Sequence, residues 1–351
     1  MKLPFKIIDI QKEPFYDELF SPQNFGWQGG DAACSISLGN DRVLWLFGDT
    51  IIGNNDGGKR NVLYPHINNS LAITTKLPSQ KIDLDFYWNL DQDKPRSFFP
   101  SLNHSPNIYY WPTNGLFVDK KLIIFCFSIQ GNFKGEYLDF WSTVGTNMIV
   151  VNNPHDNPLE WKANNIELGI GNDNYGIHSG LYYDYPNIFF IGYKNDKDNT
   201  RFSFLAKAVL NDLIESGSAE ELRYFSNNKN DNYWSKKNDY LARLFIPGST
   251  ESTIYYMEKR KLFLCTTYNP LVNEQYILTA KKITGPWNGP FKVFENPDHV
   301  TMTYAFRIHP ALMEDEDSII FSYISSPEGD IRNDYIDQKY YRPRFIRMNI
   351  S

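Results

Sequence analysis

The amino-acid sequence predicts an all-β fold, a five-bladed β-propeller, and three observations support this prediction. A hairpin pattern recurs five times, each copy is followed by a further strand-like run, and only residues 210–222 have a helical pattern. A small antiparallel unit that repeats about every 70 residues is typical of propeller blades. A two-layer sandwich gives no reason for such a unit to recur. We therefore predict one propeller domain over residues 1–351.

The first hairpin serves as the template for the repeat. Residues 33–38 and 42–47 are rich in strand formers and flank a turn at Gly39-Asn40-Asp41. The other turns are expected at 119–120, 184–186, 258–260 and 314–317, the last between strands at 310–313 and 318–323. The third strands are expected at 69–75, 147–151, 202–209, 275–281 and 344–350. This places the blades at about 24–75, 108–152, 174–210, 248–283 and 304–350, with an outer strand for the last blade from residues 6–10 of the N-terminal segment 1–10.

Composition narrows the class of ligand. Aromatic residues make up 16% of the chain, which favours sheets and ligands with sugar rings. The net charge is -6 and basic residues are scattered, so we expect neither a nucleic-acid partner nor a membrane surface. The three cysteines fit no metal-binding spacing. No segment is typical of a signal peptide, so we expect a cytoplasmic monomer by default, with a removed leader or export by another route as the alternatives.

Propeller geometry gives the polar residues a common position, because the first strand of each blade lines the central channel. The residues expected to open these strands are Asp31, Asn114, His178, Glu251 and His309. The second strands return to the same mouth and bring Asp49, Tyr193, Tyr268 and Tyr323. Carboxylates with aromatic walls suit an oligosaccharide or polysaccharide.

The catalytic candidates are Asp31, Asp49 and Glu251. A turn centred on Asn40 places Asp31 opposite Asp49, with carboxylates roughly 5 Å apart. Glycoside hydrolysis needs one protonated and one ionised carboxyl group, and a short separation favours a retaining mechanism. We expect Asp31 to be the ionised group and either Asp49 or Glu251 to be the acid.

Several motifs carry a family resemblance. The strings Trp27-Gln28-Gly29-Gly30-Asp31 and Leu44-Trp45-Leu46-Phe47-Gly48-Asp49-Thr50 resemble the opening of a propeller family known as domain of unknown function 4185. Further matches are Asn69-Ser70, Glu251-Ser252, the segment 279–287 ending in Gly285-Pro286-Trp287, and Tyr304-Ala305 before His309-Pro310. Some members are similar to the endo-D-arabinanases of glycoside hydrolase family 183, and the wider fold is similar to family 43 glycosidases. The resemblance implies cleavage of furanoside linkages by carboxylates at the channel mouth. The Ala32-Ala33-Cys34 segment departs from the expected pattern and leaves the subfamily open.

We therefore predict a glycoside hydrolase that acts on a furanoside-containing, arabinan-like glycan. The alternatives are a propeller that binds carbohydrate without cleaving it and a scaffold that binds protein. For the tryptophans, histidines and tyrosines among the candidates for substrate binding, a structural role is the alternative. The candidates are Trp27, Asn69, Trp111, Asn114, His178, Tyr193, Tyr268, Arg307, His309 and Tyr323. No cofactor or metal is predicted, although a calcium ion or a water in the channel stays open.

Overall fold

Strands dominate the structure of this protein. A computed structural model describes residues 2–102, 107–131, 141–198, 200–227, 233–269, 272–297, 300–327 and 336–351. In this part of the chain the α-helices are Pro14–Leu19 and Leu210–Ser216, and 3₁₀ turns occur at Pro158–Glu160, Ala219–Glu221 and Pro310–Leu312. The predicted all-β fold is confirmed. Neither of these α-helices is long and apolar enough to cross a membrane.

Five antiparallel sheets follow one another along the chain, and we number them sheet I to sheet V. Sheet I contains Cys34–Gly39, Arg42–Phe47, Ser70–Lys76 and Ile82–Tyr87. Sheet II contains Ile108–Val118, Lys121–Gly131, Trp141–Val151 and Ala163–Glu167. Sheet III contains Tyr175–Asp184, Asn187–Asn195, Arg201–Val209, Arg223–Phe225 and Trp234–Ser235. Sheet IV contains Ile254–Met257, Leu262–Asn269, Glu274–Ala280 and Asn288–Glu295.

Sheet V joins the two ends of the chain. Its strands are Val300–Ile308, Ser318–Pro327, Arg344–Ile350 and the N-terminal Ile7–Lys12. Ile7 lies opposite Ile350, and Lys12 lies opposite Ile346. The prediction that the N-terminal segment supplies an outer strand to the last unit is confirmed. A flanking sheet of Phe25–Gly30, Thr50–Asp56 and Lys59–Ile67 and a hairpin of Asn89–Asp91 and Lys94–Arg96 complete the strands.

The inner strands of the five sheets form a closed circuit of contacts. Each contact joins the first strands of two neighbouring sheets, or residues that directly flank those strands. The contacts are Cys34 with Asn114 (3.8 Å), Asn114 with Ser179 (2.6 Å), Ser179 with Ser252 (2.7 Å), Thr253 with Ile308 (3.2 Å) and His309 with Ser35 (2.8 Å). A ring of this kind is expected of a propeller. The count of five blades stays a prediction that the circuit supports.

The first hairpin has the predicted register. Asn40 and Asp41 form its turn with positive φ angles of 52° and 58°, which Asn and Asp tolerate and which match the twist of paired strands. Cys34 pairs with Leu46, and the ladder continues outward until the amide of Asp31 donates to the carbonyl oxygen of Asp49 over 3.4 Å. The two aspartates therefore lie opposite each other at the open end of the hairpin, as predicted.

Two other expectations are wrong. The fifth hairpin does not begin at residues 310–313: its first strand is Val300–Ile308, and Pro310–Leu312 forms a 3₁₀ turn. Proline has no N–H to donate to a strand ladder, and it suits the first position of a helical turn. The predicted helix 210–222 ends early at Ser216, because Gly217 takes a left-handed conformation.

The core lies between neighbouring sheets. Phe125 of sheet II, for example, packs edge-on against Phe190 of sheet III with ring centroids 5.2 Å apart. Each buried aromatic side chain of this kind contributes about 2 kcal/mol of hydrophobic stabilisation. Cys34, Cys126 and Cys265 are buried free thiols.

Candidate active site

Asp31 stands at a bend of the backbone. The next two residues, Ala32 and Ala33, both have left-handed conformations, with φ angles of 65° and 45°. Each such residue costs about 1 kcal/mol because its Cβ crowds the following carbonyl. The carbonyl oxygen of Asp31 accepts hydrogen bonds from the amides of Ala33 (2.8 Å) and Gly48 (3.1 Å), which hold the bend.

Gly48 leaves room for the Asp31 carboxylate. A Cβ atom at position 48 would lie 2.4 Å from Oδ1 of Asp31, far inside van der Waals contact. The Gly-Asp pair of the second sequence motif therefore has a steric purpose, since the glycine makes space for the aspartate of the first motif.

The Asp31 carboxyl group holds a proton at neutral pH. Burial and the negative charges of Asp49 and Glu251 raise its pKa from an ordinary 3.8 to about 8. A hydrogen bond from the hydroxyl of Tyr304 to Oδ2 (3.2 Å) opposes part of this rise in pKa, and Tyr341 lies 3.4 Å from the same oxygen. The expectation that Asp31 is the ionised member is therefore wrong for the free protein, because burial and like charge both oppose its ionisation.

Asp49 is surrounded by nitrogen donors. The indole Nε1 of Trp111 donates to Oδ1 over 2.8 Å, and Nδ1 of His66 lies 3.2 Å from Oδ2. Donors of this kind stabilise a carboxylate anion. The Asp49 side chain keeps 18% of its surface exposed, so it stays accessible from the mouth.

Glu251 approaches from sheet IV. The hydroxyl of Thr250 donates to its Oε2 over 2.6 Å, and the hydroxyl of Tyr268 donates to the same oxygen. Burial, and then the charge of Glu251, raise the pKa of Tyr268 well above its ordinary value, so the phenol stays a proton donor. The three predicted carboxylates are thus brought together: the charges of Asp49 and Glu251 both act on Asp31.

Two predicted substrate contacts are instead core residues. Trp27 is fully buried, and its ring stacks on Phe86 with centroids 4.6 Å apart. Asn69 is fully buried as well, and its amide nitrogen donates to the carbonyl oxygens of Phe99 (3.0 Å) and Tyr110 (2.9 Å). Neither side chain is accessible to a substrate, which corrects the prediction for both.

The two histidines predicted at the mouth are buried inside the ring. His178 contacts the hydroxyl of Thr113 through Nδ1 (2.6 Å), and His309 lies between Ser35 (2.8 Å) and Ser322 (2.7 Å). Burial lowers the pKa of both histidines to about 3, so both are neutral. His309 follows its strand rather than opening it, because that strand is Val300–Ile308. Both are corrected from substrate-binding to structural residues.

Arg307 occupies the centre of the ring instead of contacting substrate. Its Nε donates to the carbonyl oxygen of Ala32 (2.8 Å), and its Nη1 donates to that of Ser252 (3.3 Å) and lies 3.5 Å from Oδ1 of Asn114. Asn114 is also buried and donates to the carbonyl oxygens of His178 and Ser179. A fixed guanidinium at this position repels cations, so the centre does not fit a calcium ion. In the described part of the chain, no group of three or more His, Cys, Asp or Glu side chains could hold a metal.

The predicted tyrosines are almost completely buried. Tyr193 lies under the guanidinium of Arg201, 4.7 Å from the ring centroid, and Tyr323 packs against Phe294. Burial is the main cause that raises the pKa of Tyr193 to about 12. Contact of Tyr193, Tyr268 and Tyr323 with a substrate stays a prediction. Trp111, by contrast, contacts the carboxylate of Asp49 directly.

Sequence reasoning missed His66, Tyr304 and Tyr341 as members of the site. His66 lies in a strand of the flanking sheet, and Tyr341 comes from a segment 310 residues after Asp31. The motif Tyr304-Ala305 was visible in the sequence, and the left-handed φ of 52° at Ala305 marks a backbone irregularity there. No local pattern links these three residues to the aspartates.

The fold and the site together define a class: an all-β, propeller-type protein with partly buried carboxylates that interact with one another. The chain belongs to the family described as Domain of unknown function (DUF5005), whose model matches residues 13–350. This is not the family named from the sequence motifs.

Solved structures share the fold at low sequence identity. A proposed hydrolase from Bacteroides ovatus ATCC 8483 is similar with a TM-score of 0.73 and 16% identity, over 97% of this chain and 90% of that one. An α-L-arabinofuranosidase from Lactobacillus brevis has a TM-score of 0.52 and 11% identity, over 95% and 93% of the two chains. The GH43_1 enzyme from Xanthomonas citri, complexed with xylose, has a TM-score of 0.51 and 9% identity, over 94% and 89%. No curated protein sequence matches this chain.

Proposed function

We propose that this protein is a glycoside hydrolase that cleaves a furanoside-containing, arabinan-like glycan at the cluster of Asp31, Asp49 and Glu251. The observation that carries the proposal is that one carboxyl group, Asp31, has its pKa raised to about 8 by burial and by the charges of the two carboxylates near it. Asp31 keeps its proton up to a pH of about 8, while Asp49 faces nitrogen donors. Glycoside hydrolysis uses a protonated carboxyl group as the acid beside a second carboxyl group that acts as nucleophile or base.

The proposed roles of the three residues follow from this arrangement. Asp31 donates its proton to the glycosidic oxygen as the bond to the anomeric carbon breaks. Asp49 acts on that carbon, either directly as a nucleophile or by taking a proton from the water that attacks it. In both routes the water supplies the new hydroxyl of the sugar, and the leaving alcohol carries the proton from Asp31. Glu251 contributes the negative charge that helps keep Asp31 protonated.

One similarity of fold supports the substrate class. One structure of similar fold is an α-L-arabinofuranosidase. The site combines these carboxylates with the indole of Trp111, which suits a neutral sugar ring.

The test is hydrolysis of arabinan, arabinogalactan and a panel of aryl furanosides by the wild type, Asp31→Asn and Asp49→Asn. We expect kcat to fall by about 100-fold or more in both variants. Asp41→Asn is the matched control, because Asp41 lies in the turn at the other end of the same hairpin and Asn tolerates its left-handed φ of 58°. We also expect kcat/KM to fall as the pH rises above about 8, where Asp31 loses its proton.

The outcomes separate the alternatives. Glycan binding without any product identifies a carbohydrate-binding propeller and overturns the hydrolase assignment. Full turnover in both variants shows that other residues carry the chemistry. NMR of the first-formed anomer distinguishes the retaining from the inverting route.

A further inference from the structure

Trp111 links the carboxylates to an aromatic surface on sheet II. Its indole nitrogen donates to Asp49, which fixes the orientation of the ring. Tyr109, two residues earlier on the same strand, has its ring centroid 5.8 Å from that of Trp111. The aromatic surface therefore begins at the reacting group and continues outward along the sheet.

Trp141 forms the outer end of this surface. Its ring meets Trp111 edge to face, with centroids 4.9 Å apart and planes at 71°. The residue is 45% exposed, although it is one of the largest apolar residues in the chain. A solvent-exposed indole beside a half-buried one offers a flat apolar face that a ligand can cover.

We propose that Trp141 is the platform of a second sugar-binding position, which holds the ring next to the one at the carboxylates in a neutral oligosaccharide. This proposal rests on the proposed function, because its position is defined relative to Asp49. The neutral character follows from the surrounding charges: Asp49 lies at the inner end, and the carboxylate of Asp173 accepts from the amide of Thr143, two residues after Trp141. An acidic glycan would meet like charges at both ends.

The test measures binding and turnover separately. In the Asp31→Asn background, which is expected to be inactive, calorimetry compares arabino-oligosaccharides of increasing length with and without Trp141→Ala. We expect affinity for oligosaccharides to fall about tenfold, and to be mostly retained in Trp141→Phe. In the otherwise wild-type protein, kcat/KM for an aryl monofuranoside should change by less than about twofold, because that substrate does not reach the platform. Tyr240→Ala is the control, since Tyr240 is 66% exposed but lies beside sheet III.

Failure of this proposal is distinguishable from failure of the proposed function. If no substrate is cleaved but Trp141→Ala still weakens oligosaccharide binding, the platform stands and the hydrolase assignment falls. If hydrolysis is observed and Trp141→Ala leaves oligosaccharide affinity unchanged, or lowers it equally for the monofuranoside, the platform is overturned. The absence of any glycan binding overturns both.

An independent observation concerns the buried Arg307. The residues whose carbonyl oxygens it binds, Ala32 and Ser252, directly follow the two carboxylates Asp31 and Glu251 in the chain. Asp31 belongs to the entry of sheet I and Glu251 to the entry of sheet IV, so one planar guanidinium joins both segments. We infer that Arg307 is a positioning residue that sets the separation between the Asp31 and Glu251 carboxylates.

Replacement by lysine tests this role, because an ammonium group lacks the planar fork that spans two carbonyls. The free energy of unfolding of the wild type should fall as the pH rises from about 4.5 to about 7.5. In this range the folded protein keeps a proton on Asp31 that the unfolded chain releases. In Arg307→Lys we expect this pH dependence to shrink, because the loosened segments allow the carboxylates to separate. Arg347→Lys, which alters contacts with Glu13 and Ser318 in sheet V, should lower stability equally at both pH values.

An unchanged pH dependence in Arg307→Lys overturns the inference, even if overall stability falls. Arg307→Gln provides the second variant if the lysine form does not fold, since its amide can still donate to one of the two carbonyls. The same decrease in pH dependence is expected in that variant.

Discussion

Replacing Asp31 with asparagine should stabilise the folded protein at neutral pH while it removes activity. The carboxyl group has a pKa of about 8 in the folded chain and an ordinary value of 3.8 when unfolded. Between these two values the folded protein binds more protons than the unfolded chain. Stability therefore falls as the pH rises through this window and is unaffected by Asp31 below it.

The size of the effect follows from the pKa difference. A pH rise from 3.8 to 7 at about 1.4 kcal/mol per pH unit gives an upper limit of ~4 kcal/mol. Water entry and small movements of the carboxylates reduce such values, so we expect Asp31→Asn to gain about 2 kcal/mol at pH 7. For a chain of 351 residues that corresponds to a rise in Tm of about 3 °C. At a pH of about 4 the pH-linked gain should disappear.

Thermal and denaturant unfolding at both pH values provide the assay, with Asp41→Asn as the control for the charge change. If Asp31→Asn is no more stable relative to wild type at neutral pH than at acidic pH, Asp31 is not held protonated and its role as the acid is refuted. A gain of equal size at both pH values would point to packing rather than to charge repulsion.

Other changes have effects that differ in kind. Gly48→Ala should lower kcat by about tenfold or more with a small effect on Tm, because its Cβ would displace the Asp31 carboxylate; kinetics and thermal unfolding of the same sample check both parts. Asn69→Ala should lower stability by about 3 kcal/mol, since it leaves the buried carbonyls of Phe99 and Tyr110 unpaired, while kcat per folded molecule stays unchanged. His66→Gln should reduce kcat/KM by removing the ring nitrogen that contacts Asp49; an unchanged pH profile in this variant would contradict a role for His66 in the cluster.

Local patterns in the sequence predicted the parts of the fold that local chemistry determines. The turn at Asn40-Asp41 and the strand formers on each side define the register that brings Asp31 opposite Asp49. The recurrence of the hairpin identified the units that became sheets I to IV. The fifth hairpin was misplaced because Pro310 follows the strand, and an apolar run after a proline resembles a strand in sequence.

The remainder of the site depends on distances across the ring. Tyr304, Tyr341 and His66 meet the aspartates only after the sheets have assembled, and no sequence spacing records that meeting. The same limit explains the reversed protonation of Asp31. Its pKa depends on burial, which the sequence does not give, and on charges contributed by Asp49 and by the distant Glu251.

The restraint on Asp31 explains why the repulsion within the cluster is relieved by a proton rather than by movement. A surface carboxylate would rotate away from its neighbours into water. Here the carbonyl oxygen of Asp31 accepts from Gly48, that of Ala32 accepts from the buried Arg307, and the carboxylate of Asp31 lies directly against Gly48. The backbone strain at Ala32 and Ala33 persists because these bonds hold it. Because the Asp31 carboxylate cannot move away from its neighbours, binding a proton costs less free energy than keeping the like charges together. The rigidity of the ring is thus what keeps Asp31 protonated, as the proposed glycoside cleavage requires.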